Sequence, residues 1–108
     1  MEKVYIPAAP ERAAVDAMSG ATLLEFGANW CGHCMAAQAP LEQAFAGHEQ
    51  VRHYKVEDGP GRALGRSYRV KLWPTMIFLR DGQEVARLVR PLKADAIGAA
   101  LAQIDPKG

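Results

Sequence analysis

The sequence predicts an α/β domain: a central mixed five-stranded sheet, helices on both faces, and the last two strands paired as an antiparallel hairpin. Three observations lead there. Short apolar runs alternate with stretches of helical pattern, the order that builds a largely parallel sheet covered by helices. Residues 21–27, Ala-Thr-Leu-Leu-Glu-Phe-Gly, are almost continuously apolar, as a strand buried on both faces must be. Asp81-Gly82 joins two strand-like runs through a two-residue turn, a strong hairpin signal.

Taken in order, residues 3–6 read as a short edge strand. Residues 10–18 read as a helix, with Pro10 near its first turn and Gly20 past its end. Residues 21–27 supply the central strand, and residues 31–47 a long helix interrupted by Pro40. Residues 51–56 alternate as a strand and lead into the turn Glu57-Asp58-Gly59-Pro60-Gly61. A short helix over 62–68, a core strand over 76–79, its hairpin partner over 84–89 and an Ala-rich helix over 94–104 complete the chain. The order β-α-β-α-β-α-β-β-α sets the turn after residue 27 at the carboxyl end of the central strand, where ligand sites in such sheets gather.

Composition excludes several function classes. A length of 108 residues suits one domain, 1–108, and 49% apolar residues suffice for one core. The formal net charge of +1, without aromatics interleaved among the basic residues, implies no nucleic-acid partner. No stretch reaches the roughly 20 apolar residues of a membrane span. The opening Met1-Glu2-Lys3-Val4-Tyr5-Ile6-Pro7 has no apolar signal core. A bacterial-type cytoplasmic monomer is the expectation, although removal of a leader would leave the same sequence.

Both cysteines lie in Trp30-Cys31-Gly32-His33-Cys34. So close a pair constrains little of the unfolded chain, so a structural disulfide has weak energetic grounds. Strand, short turn with Cys-x-x-Cys, then helix is the context in which the motif means reversible dithiol–disulfide chemistry. Cys31 at the helix start is the candidate nucleophile, because unpaired N–H groups and the helix dipole favour a thiolate. Cys34, one turn further in, should be more buried, less acidic and placed to resolve a mixed disulfide formed at Cys31. The alternatives are inert core thiols or half of a zinc site. His48 and His53 supply no second ligand pair at suitable spacing for a zinc finger, so no metal is expected.

Four further residue types bear on this site. His33 between the thiols could stabilise the Cys31 thiolate by a hydrogen bond or a positive charge and so tune the potential. Gly32 removes bulk beside the reactive sulfur and keeps the turn tight. Glu25 is the odd residue in the buried strand; an isolated buried carboxyl has a raised pKa and can serve as a general base. Its loss is then expected to raise or spare stability while slowing turnover. Lys55 and His53 alternate onto one face of their strand, so either could partner Glu25.

The element order, Trp30-Cys31-Gly32-His33-Cys34 and the later Pro74-Thr75 before an apolar strand resemble the thioredoxin family over essentially the whole chain. Locally, Leu24-Glu25-Phe26, the Cys-Gly-His-Cys segment and Lys55-Val56-Glu57 are similar to the catalytic domains of protein disulfide isomerase. The resemblance implies a thioredoxin fold and a protein-disulfide oxidoreductase that carries electrons through a redox-active Cys31–Cys34 disulfide, with no other cofactor. Its implied partners are protein disulfides and a reductase or an oxidase. It matches Glu25 to a buried acid that takes the Cys34 proton through a water, with Lys55 as its favoured partner. It matches Pro74 to a cis proline facing the dithiol, with Trp73 and Trp30 flanking a substrate groove on opposite sides. The alternative is a non-catalytic binding or chaperone module on the same fold, or a metal chaperone using Cys31, Cys34 and His33.

The sequence departs from that family at four places. Pro40 falls six residues after Cys34 rather than five, which predicts a bulge or shifted kink that would redirect Met35 or Ala36. The turn before the short helix is about two residues longer than in the thioredoxins proper. Arg90-Pro91 stands where a glycine usually precedes the last helix, and an offset of one residue keeps Arg90 off the catalytic list. Gly27-Ala28 replaces an aromatic followed by alanine, which predicts open space beside the site.

Overall fold

The computed structural model describes residues 1–106, so the last two positions of the expected domain lie outside the described residues. Its elements are α1 (Arg12–Asp16), β1 (Ala21–Gly27), α2 (Gly32–Phe45), β2 (Arg52–Glu57), α3 (Ala63–Ser67), β3 (Thr75–Arg80), β4 (Gln83–Val89) and α4 (Ala94–Ile104). The sheet has four strands in the order β2-β1-β3-β4, not the five expected. Residues 3–6 do not form the predicted edge strand; only Ile6 bridges to Val56. A longer parallel ladder would use the backbone of Val4 and Glu2, which face β2 as Ile6 does, but the Glu2 N–H donates to the His53 ring at 3.0 Å instead. On the side away from β2, the Tyr5 N–H donates to Asn29 Oδ1 at 2.9 Å and Asn29 Nδ2 donates to the Tyr5 carbonyl at 3.0 Å, which holds the segment in place.

The sheet is also less parallel than the element order suggests. β1 pairs with β2 in parallel, but β3 runs antiparallel to both β1 and β4. The connection over residues 58–74 begins and ends at one end of the sheet, where the Trp73 indole N–H donates to Asp58 at 2.9 Å, so the chain enters β3 from the end where β2 finished. That brings the loop after β2 and the loop before β3 to the carboxyl end of β1, where α2 begins.

Alternation along β1 divides the core. Leu23 faces α2 and α4 in a cluster with Leu41, Phe45, Met76, Phe78, Ile97, Leu101 and Ile104. Leu24 and Phe26 face Val15, Leu64 and Tyr68, so α1 and α3 cover the opposite face. Helices on both faces are thus observed, as expected. The predicted bulge in α2 is absent: Gly32–Phe45 is α-helical throughout, with Pro40 inside it. Pro40 removes the amide that would bond the Ala36 carbonyl, but Ala36 is exposed, so solvent can serve that carbonyl without a break in the helix.

Candidate active site

Cys31 is the N-cap of α2. Its backbone is extended (φ −82°, ψ 119°), and its Sγ accepts a hydrogen bond from the Cys34 N–H at 3.2 Å. An N-cap is normally an oxygen-bearing residue satisfying one of the orphan helix amides; here a sulfur does so, and negative charge on it is stabilised by that amide and the helix dipole. Both cysteines are free thiols and buried, Cys31 at 7% and Cys34 at 2% exposure. Burial, followed by the Cys31 sulfur, pushes the Cys34 thiol up to about 11, while the Ala28 backbone and the Tyr5 hydroxyl draw it down. Cys34 is therefore protonated at neutral pH.

Behind Cys34 lies a fully buried carboxylate with three partners. Glu25 Oε2 accepts from the Tyr5 hydroxyl at 2.7 Å, Glu25 Oε1 is 3.0 Å from His53 Nε2, and Lys55 Nζ is 3.7 Å from Oε2. The parallel register explains the set: Lys55 stands opposite Glu25, and His53 lies two residues back on the same face. Both expected candidates therefore meet the carboxyl, His53 more closely than the favoured Lys55. The His53 Nδ1 accepts from the Glu2 N–H at 3.0 Å, which assigns the ring proton to Nε2 and makes it the donor to Glu25. Lys55 Nζ also donates to Gln38 Oε1 at 2.8 Å and lies 4.4 Å from the centroid of the Tyr5 ring.

These partners overturn the expected raised pKa of Glu25. Burial alone pushes the carboxyl up, but the His53 hydrogen bond, the Lys55 charge and the Tyr5 hydroxyl together hold it below the usual carboxylate range. The carboxyl is not isolated, and at neutral pH it is ionised. The open space predicted beside Gly27 is likewise filled. A Cβ at Gly27 would lie 2.5 Å from Cys34 Sγ and 2.8 Å from the Tyr5 hydroxyl oxygen, so glycine is required there for close approach. At Gly32 a Cβ would meet nothing within 4 Å, so packing does not demand glycine beside the reactive sulfur.

The Trp73–Pro74 peptide is cis, and Pro74 is buried. Trp30 is 77% exposed, and its ring meets Trp73 edge-on with centroids 5.6 Å apart. The two indoles thus form one aromatic wall rather than opposite sides of a groove. His33 is exposed in the first turn of α2. Among the described residues, no group of three or more His, Cys, Asp or Glu could hold a metal ion, and no helix is long and apolar enough to cross a membrane.

Besides His53, ranked behind Lys55, four residues matter here that the sequence passes over or sets aside. Tyr5 reaches Glu25 from an N-terminal segment read as an edge strand. Asn29 pins Tyr5. Asp58, read only as part of a turn, accepts from the Trp73 indole N–H at 2.9 Å, and its carboxylate fills the place where any Cβ at Gly65 would go. Arg90 adopts a left-handed backbone (φ 52°), donating its N–H to the Pro74 carbonyl at 2.9 Å and its Nε to the Trp73 carbonyl at 2.8 Å. Alternation on β2 was the one available signal, and it pointed to His53. The others depend on contacts between loops.

Comparison with known proteins agrees with this geometry. The thioredoxin family model matches residues 9–103. The chain is 37% identical over 71 residues to a thioredoxin of Chlamydia pneumoniae, covering 66% of this chain and 70% of that protein. It is 35% identical over 74 residues to a thioredoxin of Staphylococcus aureus, covering 66% and 69%. Among solved structures, thioredoxin 2 of Pseudomonas aeruginosa PAO1 in its reduced form superposes with a TM-score of 0.87 at 53% identity, over 100% of both chains. The helix-capping dithiol, the four-stranded mixed sheet and these matches agree: the chain belongs to the thioredoxin family and is a thiol–disulfide oxidoreductase.

Proposed function

We propose that Cys31 is the attacking thiol, Cys34 the resolving thiol and Glu25 the group that helps remove the Cys34 proton. The observation that supports this assignment best is the hydrogen bond from the Cys34 N–H to Cys31 Sγ at the start of α2. Cys31 attacks a sulfur of a protein disulfide, forms a mixed disulfide and expels one substrate thiolate. Cys34 then loses its proton and attacks the Cys31 sulfur; the internal disulfide forms, the second substrate thiol leaves, and two electrons have passed to the substrate. The reverse sequence oxidises a dithiol, and a reductase or oxidase partner resets the site.

The mismatch between Cys34 near 11 and a Glu25 held low makes full proton transfer unfavourable before the attack. Proton removal is therefore coupled to formation of the sulfur–sulfur bond, which consumes the thiolate. In this reading Trp30, Trp73 and Pro74 contact the substrate, His33 tunes the potential, and the internal disulfide is the only redox group. In the same reading the protein acts as a monomer in the cytoplasm. The test is the turbidity of insulin reduced by dithiothreitol. The protein should accelerate precipitation and the Cys31→Ser variant should not. Equal rates with and without the protein would leave a non-catalytic binding module instead.

A further inference from the structure

We propose that the Tyr5 hydroxyl is the proton relay between Cys34 and Glu25, a link made by a side chain of this protein rather than by a solvent molecule. The proposal rests on the reading of Glu25 given above and adds the route. Its basis is geometric. The Tyr5 hydroxyl donates to Glu25 Oε2 at 2.7 Å, and the missing Cβ of Gly27 leaves a gap flanked by that same hydroxyl oxygen and by Cys34 Sγ. Tyr5 packs in one buried cluster with Ala28, Cys31 and Cys34. Its position is fixed from both sides. Asn29 clamps its backbone, and the next residue, Ile6, exchanges hydrogen bonds with β2: Ile6 N–H to the Lys55 carbonyl at 3.0 Å, Glu57 N–H to the Ile6 carbonyl at 2.9 Å.

The relay balances as follows. The Cys34 S–H proton passes to the Tyr5 oxygen as the Tyr5 proton passes to Glu25 Oε2. The Cys34 sulfur attacks Cys31 in the same step, the Cys31–substrate bond breaks, and the substrate thiolate leaves. Tyr5 accepts one proton as it gives up another and is never a phenolate. Its own ionisation agrees: burial first, then Glu25 and Cys34, push the phenol far above its ordinary range, so it remains a donor at every working pH. The charged and titratable groups around the relay are Glu25 on β1, His53 and Lys55 on β2, Cys31 on α2 and Lys3, which lines the adjoining cleft. That cleft, about 220 Å³ and lined by Tyr5, Cys34, Gln38 and Lys55, has room for several waters and gives the proton an exit.

The test separates the route from the role of Glu25. Reduced protein mixed with the chromogenic disulfide dithiobis(nitrobenzoate) releases one thionitrobenzoate when Cys31 attacks and a second when Cys34 displaces it. Tyr5→Phe keeps the ring over which Lys55 sits and removes only the hydroxyl. The first phase should be unchanged. The second should slow roughly tenfold to hundredfold near neutral pH, the worth of one hydrogen bond to a charged group, and the deficit should shrink as pH rises toward the Cys34 pKa. Glu25→Gln should slow the second phase too, but add nothing in the Tyr5→Phe background. An unchanged second phase in Tyr5→Phe with a slowed one in Glu25→Gln overturns the relay and leaves the role of Glu25 standing. Independent, multiplying effects also overturn it. A slowed phase in Tyr5→Phe alone breaks the link to Glu25, and no effect in either variant overturns both readings. If Glu25→Gln does not fold, the pH profile of Tyr5→Phe decides: a deficit constant with pH marks mere packing and refutes the relay.

Discussion

Replacing Glu25 with alanine should cost about 4 kcal/mol of stability. The carboxylate is 0% exposed, and Lys55, whose side chain is 3% exposed, faces it. Removing one partner of a buried ion pair costs roughly 3–5 kcal/mol, because the other charge remains buried without its counter-charge. The remaining contacts of Lys55 are the Gln38 oxygen at 2.8 Å and the face of the Tyr5 ring. The Tyr5 hydroxyl and His53 Nε2 also lose their acceptor, at about 1–3 kcal/mol each when left unsatisfied. These costs overlap, since water can enter the cavity left behind, so about 4 kcal/mol is the figure to test. Unfolding entropy near 2.1 cal/mol/K per residue converts it to a melting temperature lower by roughly 15–20 °C. The assay is thermal and urea unfolding of the wild type, Glu25→Ala and Glu25→Ala with Lys55→Met. The double variant should recover part of the loss, because the orphaned ammonium is gone. A Glu25→Ala protein within about 1 kcal/mol of the wild type would refute the reasoning and restore the isolated carboxyl expected from sequence, whose loss is harmless.

Two further outcomes follow from the same site. Because Glu25 is held below its reference value of 4.5, its contribution to stability is complete above about pH 4.5 and drains away as pH falls through the lower folded-state pKa; melting temperature against pH should fall less steeply in acid for Glu25→Gln, and parallel curves would contradict this. His33→Pro should lower the reduction potential. With one added hydrogen bond worth about 1.5–3 kcal/mol and about 30 mV per 1.4 kcal/mol, the wild type should lie near −240 to −210 mV, between about −270 mV for thioredoxin and about −180 mV for the isomerase; equal potentials against glutathione would make the histidine a bystander.

The sequence carried the parts of this molecule that depend on local chemistry. The apolar run of β1, the Asp81-Gly82 turn and the Ala-rich α4 were legible because period, turn residues and composition are written into adjacent positions. The Cys31–Cys34 pair was legible because spacing and the strand-to-helix context carry its meaning. The direction of β3 was not. It depends on the two ends of the connection meeting at Asp58 and Trp73, a contact between loops that no local pattern shows. The fifth strand failed for a different reason: the Glu2 N–H that a ladder to β2 would use goes to the ring of His53, a partner 51 positions away. Glu25 was found, but its charge state was misjudged: burial was visible in its apolar neighbours, whereas the simultaneous reach of His53 and Lys55 to the carboxyl, joined by the Tyr5 hydroxyl, was not. Gly27 suggested a vacancy because its neighbours in sequence are small, whereas the ring that fills the gap comes from the start of the chain.

The central claim is the division of labour between the two thiols, and trapping tests it most directly. Cys34→Ser leaves a nucleophile without its resolver, so incubation with a disulfide-bonded protein should accumulate a covalent mixed disulfide visible on a non-reducing gel. Cys31→Ser should trap nothing, because its remaining thiol is buried and protonated at neutral pH. Accumulation with Cys31→Ser and none with Cys34→Ser would reverse the assignment and contradict the account.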